Sequence, residues 1–206
     1  MPIGNLFVFC RLIKEVTMSE PFFLNEDNVK QYIDMTADYD GQWFLDQFTK
    51  YIPQNHKALE LGIGPGTDLE NIRQKYNVVG SDYSFVFAER YKRQHPEVKI
   101  MVLDAITIKT EEPFNTIYSN KVLHHLTHDE LKASIVRQAE MLEKEALVLH
   151  TFWKGTGTDE YQGLLFNYYE NEELQSLFGD YFDIICLENY SEIKDDDSIL
   201  VVAQRK

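Results

Sequence analysis

Cysteine is scarce in this chain: Cys10 and Cys186 are the two thiols in 206 residues. So few thiols, so far apart, support no disulfide framework and point to a reducing, cytoplasmic compartment. Cys186 stands in the apolar run 182–187, where a buried structural thiol is expected rather than a nucleophile. Positive charge is short as well. Twenty Lys and Arg face 34 Asp and Glu, a formal net charge of −14, which opposes a diffuse hold on phosphodiester backbones, so no nucleic-acid partner is expected. The basic cluster Arg90, Lys92 and Arg93 falls on a helical stretch and reads as a solvated face. Long apolar runs are missing too. The short run at residues 6–10 cannot span a bilayer, and it lacks both a basic stretch before it and a small-residue cleavage site after it, so neither a membrane partner nor secretion is expected. Met18 opens an alternative soluble start, Met-Ser-Glu-Pro.

The chain length suits one domain with a full core, or one domain carrying a small cap. Residues 1–24 read as an N-terminal extension, 25–56 as a helical cap and 57–206 as the main domain.

Glycine is concentrated where it matters. Residues 58–68 read Ala-Leu-Glu-Leu-Gly-Ile-Gly-Pro-Gly-Thr-Asp, an apolar strand running into Gly62, Gly64 and Gly66 and then opening a helix. Residues without Cβ take positive φ and let the backbone approach a ligand, so the stretch marks a cofactor pocket. A dinucleotide fingerprint counted from Gly62 and Gly64 needs its third glycine at position 67, which is Thr67, and no Gly-Lys-Ser/Thr follows for a phosphate loop. Glu60, two residues before Gly62, would repel a pyrophosphate and attract a cationic or hydroxyl-bearing ligand; a sulfonium cofactor fits that charge. The sequence Glu60-Leu-Gly62-Ile-Gly64-Pro-Gly66 resembles the first motif of the class I S-adenosylmethionine-dependent methyltransferases, an acidic residue followed by Gly-x-Gly-x-Gly.

Beyond residue 56, apolar runs alternate with longer helical patterns, which predicts an α/β fold. Strands are expected at 57–61, 77–81, 98–103, 116–119 and 146–151, and helices at 67–76, 83–95, 127–144 and 171–178. Thr67 is a capping-type residue, Thr127 with Glu130 forms a capping box, and Asn171 is an N-cap candidate. Two further strand candidates, 181–187 and 199–203, have an acidic loop and no helix between them, so they should pair as an antiparallel hairpin. The methyltransferase resemblance implies this same ending, with the seventh strand inserted beside the sixth. The predicted fold class is therefore α/β, a seven-stranded mostly parallel sheet with helices on both faces, an antiparallel C-terminal hairpin and an N-terminal helical cap.

Site residues follow from the parts of S-adenosyl-L-methionine. Gly62, Gly64 and Gly66, with Glu60 nearby, suit its methionine end. Asp82, after the second strand and twenty residues past Gly62, suits the ribose hydroxyls or, alternatively, the N-cap of the next helix. Tyr83 could pack on adenine. Asp104 matches the acidic residue the family places after the third strand, where it accepts from the adenine amine while Ala105 leaves space for the ring. Asn120 and Lys121 stand at the carboxyl end of the fourth strand, where main chain should border the methyl group. The run Tyr118-Ser-Asn-Lys-Val-Leu-His-His-Leu126 resembles the family's fourth motif, but lacks the Asn-Pro-Pro that marks methylation of exocyclic or amide nitrogens. Tyr39, in a Tyr-Asp pair also seen in some subfamilies, is a cofactor candidate. Trp43 and, after the fifth strand, Trp153, Tyr168 and Tyr169 are substrate-wall candidates, with core packing as the alternative.

His124 or His125 could serve as a base for a protonated nucleophile, with at most one facing the pocket. With His128 they raise a metal reading, but no well-placed carboxylate or cysteine completes a site, so no metal is expected. The functional reading is a methyltransferase acting at O or N of a small-molecule acceptor by in-line displacement. Its alternatives are a protein or nucleic-acid methyltransferase and a non-catalytic cofactor-binding protein, while a dehydrogenase is disfavoured by Thr67 and the terminal hairpin. Monomer and homodimer both stay open.

Overall fold

The computed structural model describes residues 22–206, and the expectations for Cys10, residues 6–10 and a start at Met18 lie outside the described residues. After a 3-10 turn, Phe22–Leu24, come α1 (Glu26–Met35), α2 (Gln42–Tyr51), β1 (Lys57–Leu61), α3 (Thr67–Ile72), β2 (Asn77–Asp82), α4 (Phe85–Gln94) and β3 (Ile100–Val102). They are followed by β4 (Thr116–Asn120), a 3-10 turn Leu123–His125, α5 (His128–Met141), β5 (Leu147–Trp153), β6 (Thr158–Tyr161), β7 (Leu164–Asn167), α6 (Asn171–Gly179), β8 (Phe182–Tyr190) and β9 (Ser198–Arg205).

Seven strands form one sheet in the order β3-β2-β1-β4-β5-β9-β8. The pairings among β1 to β5 are parallel, and β9 runs antiparallel between β5 and β8. This is the fold class that the alternation of elements predicted. Both faces are covered. Leu59, Ile117, Val148 and Val201 meet Leu131 and Ile135 of α5 and Leu174 and Phe178 of α6. On the other face Ala58, Tyr118, Leu149 and Val202 meet Phe44 and Phe48 of α2, Leu69 and Ile72 of α3, and Tyr91 of α4. Burial on both faces explains why the central strands read as continuous apolar runs. α2, expected within the cap, thus packs directly on the sheet.

Local departures have local causes. α3 stops at Ile72, whose carbonyl accepts from the N–H groups of both Lys75 and Tyr76 at 3.0 and 3.1 Å and closes the helix. Its N-cap is Gly66 in the left-handed region, not a side chain of Thr67. α4 begins at Phe85 because Ser84 caps it, its Oγ accepting from Phe87 N–H. Asp82 is therefore not that helix's N-cap. The N-cap of α6 is Glu170 rather than Asn171. The capping box of Thr127 and Glu130 is present at α5. Cys186 is half-buried beside a register shift in β8, with its thiol 3.7 Å from Glu188 Oε2, so it is not enclosed in the core. The expected loop after Trp153 contains a two-stranded hairpin, β6 with β7. Its turn residues Gln162 (φ 51°) and Gly163 (φ 79°) both take positive φ, as a two-residue turn between twisted strands favours. No helix among the described residues is long and apolar enough to cross a membrane.

Candidate active site

The glycine loop leaves β1 at the point where the sheet order reverses, between β1 and β4. An open α/β sheet binds its ligands at such a point. Gly62 and Ile63 donate their N–H groups to Ser81 O at 2.8 and 2.9 Å, tying the loop to β2. A Cβ on Gly62 would stand 2.6 Å from a methyl of Val122, and one on Gly66 2.4 Å from the Tyr91 ring. Both positions also need positive φ, 74° and 97°. Gly64 differs: at φ 49° its Cβ position has nothing within 4 Å, so that face of the loop is open.

Asp82 buttresses the loop. Its two carboxylate oxygens accept from Gly64 N–H at 2.9 Å and Ser84 N–H at 2.8 Å. Burial raises its pKa to about 6, against the pull of those two backbone bonds. Tyr83 beside it is 59% exposed. At the β3 end, Asp104 accepts from Ile106 N–H at 2.7 Å, and Ala105 O accepts from Ser134 Oγ at 2.7 Å. That last bond ends a buried relay. Gln138 Oε1 accepts from His150 Nε2 at 2.9 Å, leaving His150 Nδ1 to accept from Ser119 Oγ at 2.8 Å, while Gln138 Nε2 donates to Ser134 Oγ at 3.2 Å. Burial depresses the His150 pKa to about 3, so the ring is neutral.

Carboxylates crowd the other side of the loop. Glu60 is 2% exposed and accepts from Tyr118 Oη at 2.7 Å; burial first, then Asp68, raises its pKa well above the ordinary range. Asp68, on the first turn of α3, accepts from Tyr39 Oη at 2.9 Å and from Asn120 Nδ2 at 3.0 Å, and burial lifts its pKa to about 6. Tyr39, Asp68 and Asn120 thus join the segment before α2, the loop helix and the end of β4. Lys121 follows at φ 52°. Its ammonium donates to Phe152 O at 3.0 Å and Ser198 Oγ at 2.7 Å, pairs with Glu192 at 3.1 Å and lies 3.7 Å from the centroid of the Trp153 ring. Burial lowers its pKa to about 8, with Glu192 opposing.

His124 is 2% exposed, and its ring lies 3.9 Å from that of His125, centroid to centroid, and 5.5 Å from Phe166 of β7. His125 Nδ1 bonds Leu165 O at 2.6 Å, so the ring donates there, and Asn167 Nδ2 donates to the carbonyls of His124 and Leu126 at 3.2 and 2.6 Å. Both histidines thus face the hairpin side by side. Trp43 is 38% exposed and stacks on Tyr190 with centroids 3.8 Å apart. Tyr168 Oη donates to Asp159 at 3.0 Å on the hairpin. Tyr169 is fully buried against Phe152 in the sheet core, which is the packing role rather than a wall.

Sequence reasoning assigns no role to Asp68, to the Lys121 side chain or to Glu192. Asp68 carried one readable signal, a carboxylate on the turn that follows the glycines. His128 pairs with Glu173 at 3.0 Å, away from the other two histidines, and among the described residues no group of three or more His, Cys, Asp or Glu could hold a metal ion. Two open surface grooves, of about 430 and 420 Å³, are lined by none of these site residues.

Sheet order, an antiparallel last strand and a glycine loop at the reversal define the class I, Rossmann-like methyltransferase architecture. Residues 58–145 match the family model described as a methyltransferase domain. An uncharacterized methyltransferase of Bacillus licheniformis is 30% identical over 126 residues, covering 58% of this chain and 55% of its own length; the chain thus spans little more than half of that relative. Among solved structures, the 1,6-didemethyltoxoflavin-N1-methyltransferase of Burkholderia thailandensis superposes with a TM-score of 0.72 at 16% identity, over 94% of this chain and 93% of that one. The N-methyltransferase NodS of Bradyrhizobium japonicum gives a TM-score of 0.63 at 15% identity, over 87% and 99%.

Proposed function

We propose that the protein transfers a methyl group from S-adenosylmethionine to oxygen or nitrogen of a small molecule. The observation that carries the reading is the open face at Gly64 directly beside the buried Asp82 carboxylate, a cradle that a Cβ would begin to fill. The cofactor, when bound, supplies an electrophilic methyl on a sulfonium. The chain supplies the rest. Asp82 keeps lone pairs for two ribose hydroxyls, Asp104 and Ala105 border the adenine, and Tyr83 is placed to cover it. Asp68 faces the ammonium and sulfonium charges of the methionine end, Glu60 supports the loop beside it, and Tyr39 and Asn120 orient Asp68. His124 and His125 are the candidate bases, with Trp153, Trp43 and Tyr168 as acceptor contacts.

The Burkholderia and Bradyrhizobium enzymes are N-methyltransferases crystallised with S-adenosylhomocysteine, which supports the cofactor and a nitrogen acceptor. Low cysteine content supports a cytoplasmic setting. Calorimetric titration with S-adenosylmethionine, and separately with a nicotinamide dinucleotide, tests the cofactor: binding of the first alone is expected, and its failure overturns the reading. Incubation with labelled cofactor and a metabolite panel, set against macromolecular extracts, tests the acceptor. Label in macromolecules alone would overturn the small-molecule assignment.

A further inference from the structure

The turn after β4 holds an imidazole with nothing to bond. Both ring nitrogens of His124 are buried without a hydrogen-bond partner among the described residues. Its polar neighbours are satisfied: Asn120 by Asp68 and Thr151, His125 by Leu165 O, Asn167 by two carbonyls and Thr158, and Lys121 by Phe152 O, Ser198 and Glu192. A buried polar group left unpaired in such company costs free energy that a ligand's donor or acceptor would recover.

The turn is also in the right place. Val122, two residues before His124, has its methyls against Gly62, so the strand end that carries the imidazole is seated on the cofactor loop. Around the imidazole stand the rings of His125, Phe166 and Trp153, the last at 6.4 Å. Among the described residues no uncommitted cation faces it, since the Lys121 ammonium already holds three oxygen partners. An anionic acceptor would meet the carboxylates of Asp68 and Glu192 instead.

Resting on the methyltransferase reading above, we infer that His124 is the acceptor-binding group, and that the acceptor is a neutral, planar heteroaromatic compound presenting an N–H or phenolic O–H to its ring nitrogen. Trp153 and Phe166 sandwich the acceptor plane, and the β6–β7 hairpin shifts to admit it. In the transfer, a bond forms from the acceptor nitrogen or oxygen to the methyl carbon, and the carbon–sulfur bond breaks with its electron pair going to sulfur. The acceptor's proton passes to the unprotonated nitrogen of His124. Burial, His125 and Lys121 keep the resting ring neutral and able to accept it.

The test uses the full chain saturated with S-adenosylhomocysteine. Calorimetric titration of the unsubstituted chain reads probe binding directly. Benzimidazole is the probe, with 1-methylbenzimidazole, which has no N–H, and caprolactam, which keeps a neutral N–H but is not aromatic, as comparisons. Benzimidazole should bind about tenfold more tightly than either, and His124→Phe should abolish that margin while S-adenosylhomocysteine affinity stays within about twofold. Equal binding of the three probes, binding of none, or an undiminished margin in His124→Phe overturns the inference. Loss of S-adenosylhomocysteine binding by the unsubstituted chain would instead overturn the cofactor reading. If His124→Phe does not fold, nitrogen-15 NMR of the histidine rings decides: benzimidazole should shift the His124 resonances, and unmoved resonances refute the role.

Discussion

Asp82 is ionised at neutral pH against its surroundings. With a folded pKa of about 6 and an ordinary value of 3.8, its contribution to stability is fully present below 3.8 and is lost as pH rises through 6. At pH 7 the ionised group therefore costs the fold about 3 kcal/mol relative to its protonated form. The stability gap between the wild-type chain and Asp82→Asn should shift in favour of wild type as pH falls from 7 to 5, as read by paired thermal melts. A gap that stays flat would refute the burial argument. In calorimetry, Asp82→Asn should weaken S-adenosylmethionine binding by about 1.5–3 kcal/mol, the scale of a hydrogen bond to a charged group. Asp82 was legible in the sequence because everything that marks it is local: a strand before it and a fixed distance from Gly62. Asp68 was not, because Tyr39 and Asn120 stand 29 and 52 residues away and contact it only once the sheet has formed. The Lys121 side chain escaped for the same reason, its partner Ser198 lying 77 residues further on.

Elements show the same division. The capping box at α5 lies within four adjacent residues and was readable outright. The β6–β7 hairpin was missed because Thr-Asp-Glu-Tyr in β6 has neither apolar alternation nor burial, although Gln162-Gly163 was a turn signal waiting between two four-residue strands. Asn167 pins this hairpin to the body through the carbonyls of His124 and Leu126. Asn167→Ala should cost on the order of 1–3 kcal/mol in urea unfolding, since it leaves both carbonyls without their donor. It should also speed amide exchange in residues 158–167 more than in β1 or β4. Uniform exchange changes would mean that the hairpin is not an independently opening unit.

Across the whole molecule, the fold class was the most legible property, because alternating helices and apolar strands with a helix-free ending mark a mostly parallel sheet that closes on an antiparallel hairpin. The relay through the core was not legible, since Ser119, Gln138 and Ser134 are unremarkable in sequence. His150, at its centre, has a folded pKa of about 3 against an ordinary 6.5, so the unfolded chain takes up a proton between those values that the folded chain refuses. That contribution to stability is whole above 6.5 and declines as pH falls toward 3. His150→Gln should therefore lose less stability than wild type on going from pH 7 to pH 4, measured by urea unfolding at each pH. The relay also shapes how this interior tolerates substitution. Exchanging one middle member for an apolar residue strands a neighbour on each side, whereas exchanging all four leaves a single carbonyl, Ala105 O, without its donor. Penalties measured one at a time will overshoot the penalty of the quadruple change, and sequence drift through this part of the core has to proceed by concerted jumps rather than by single steps.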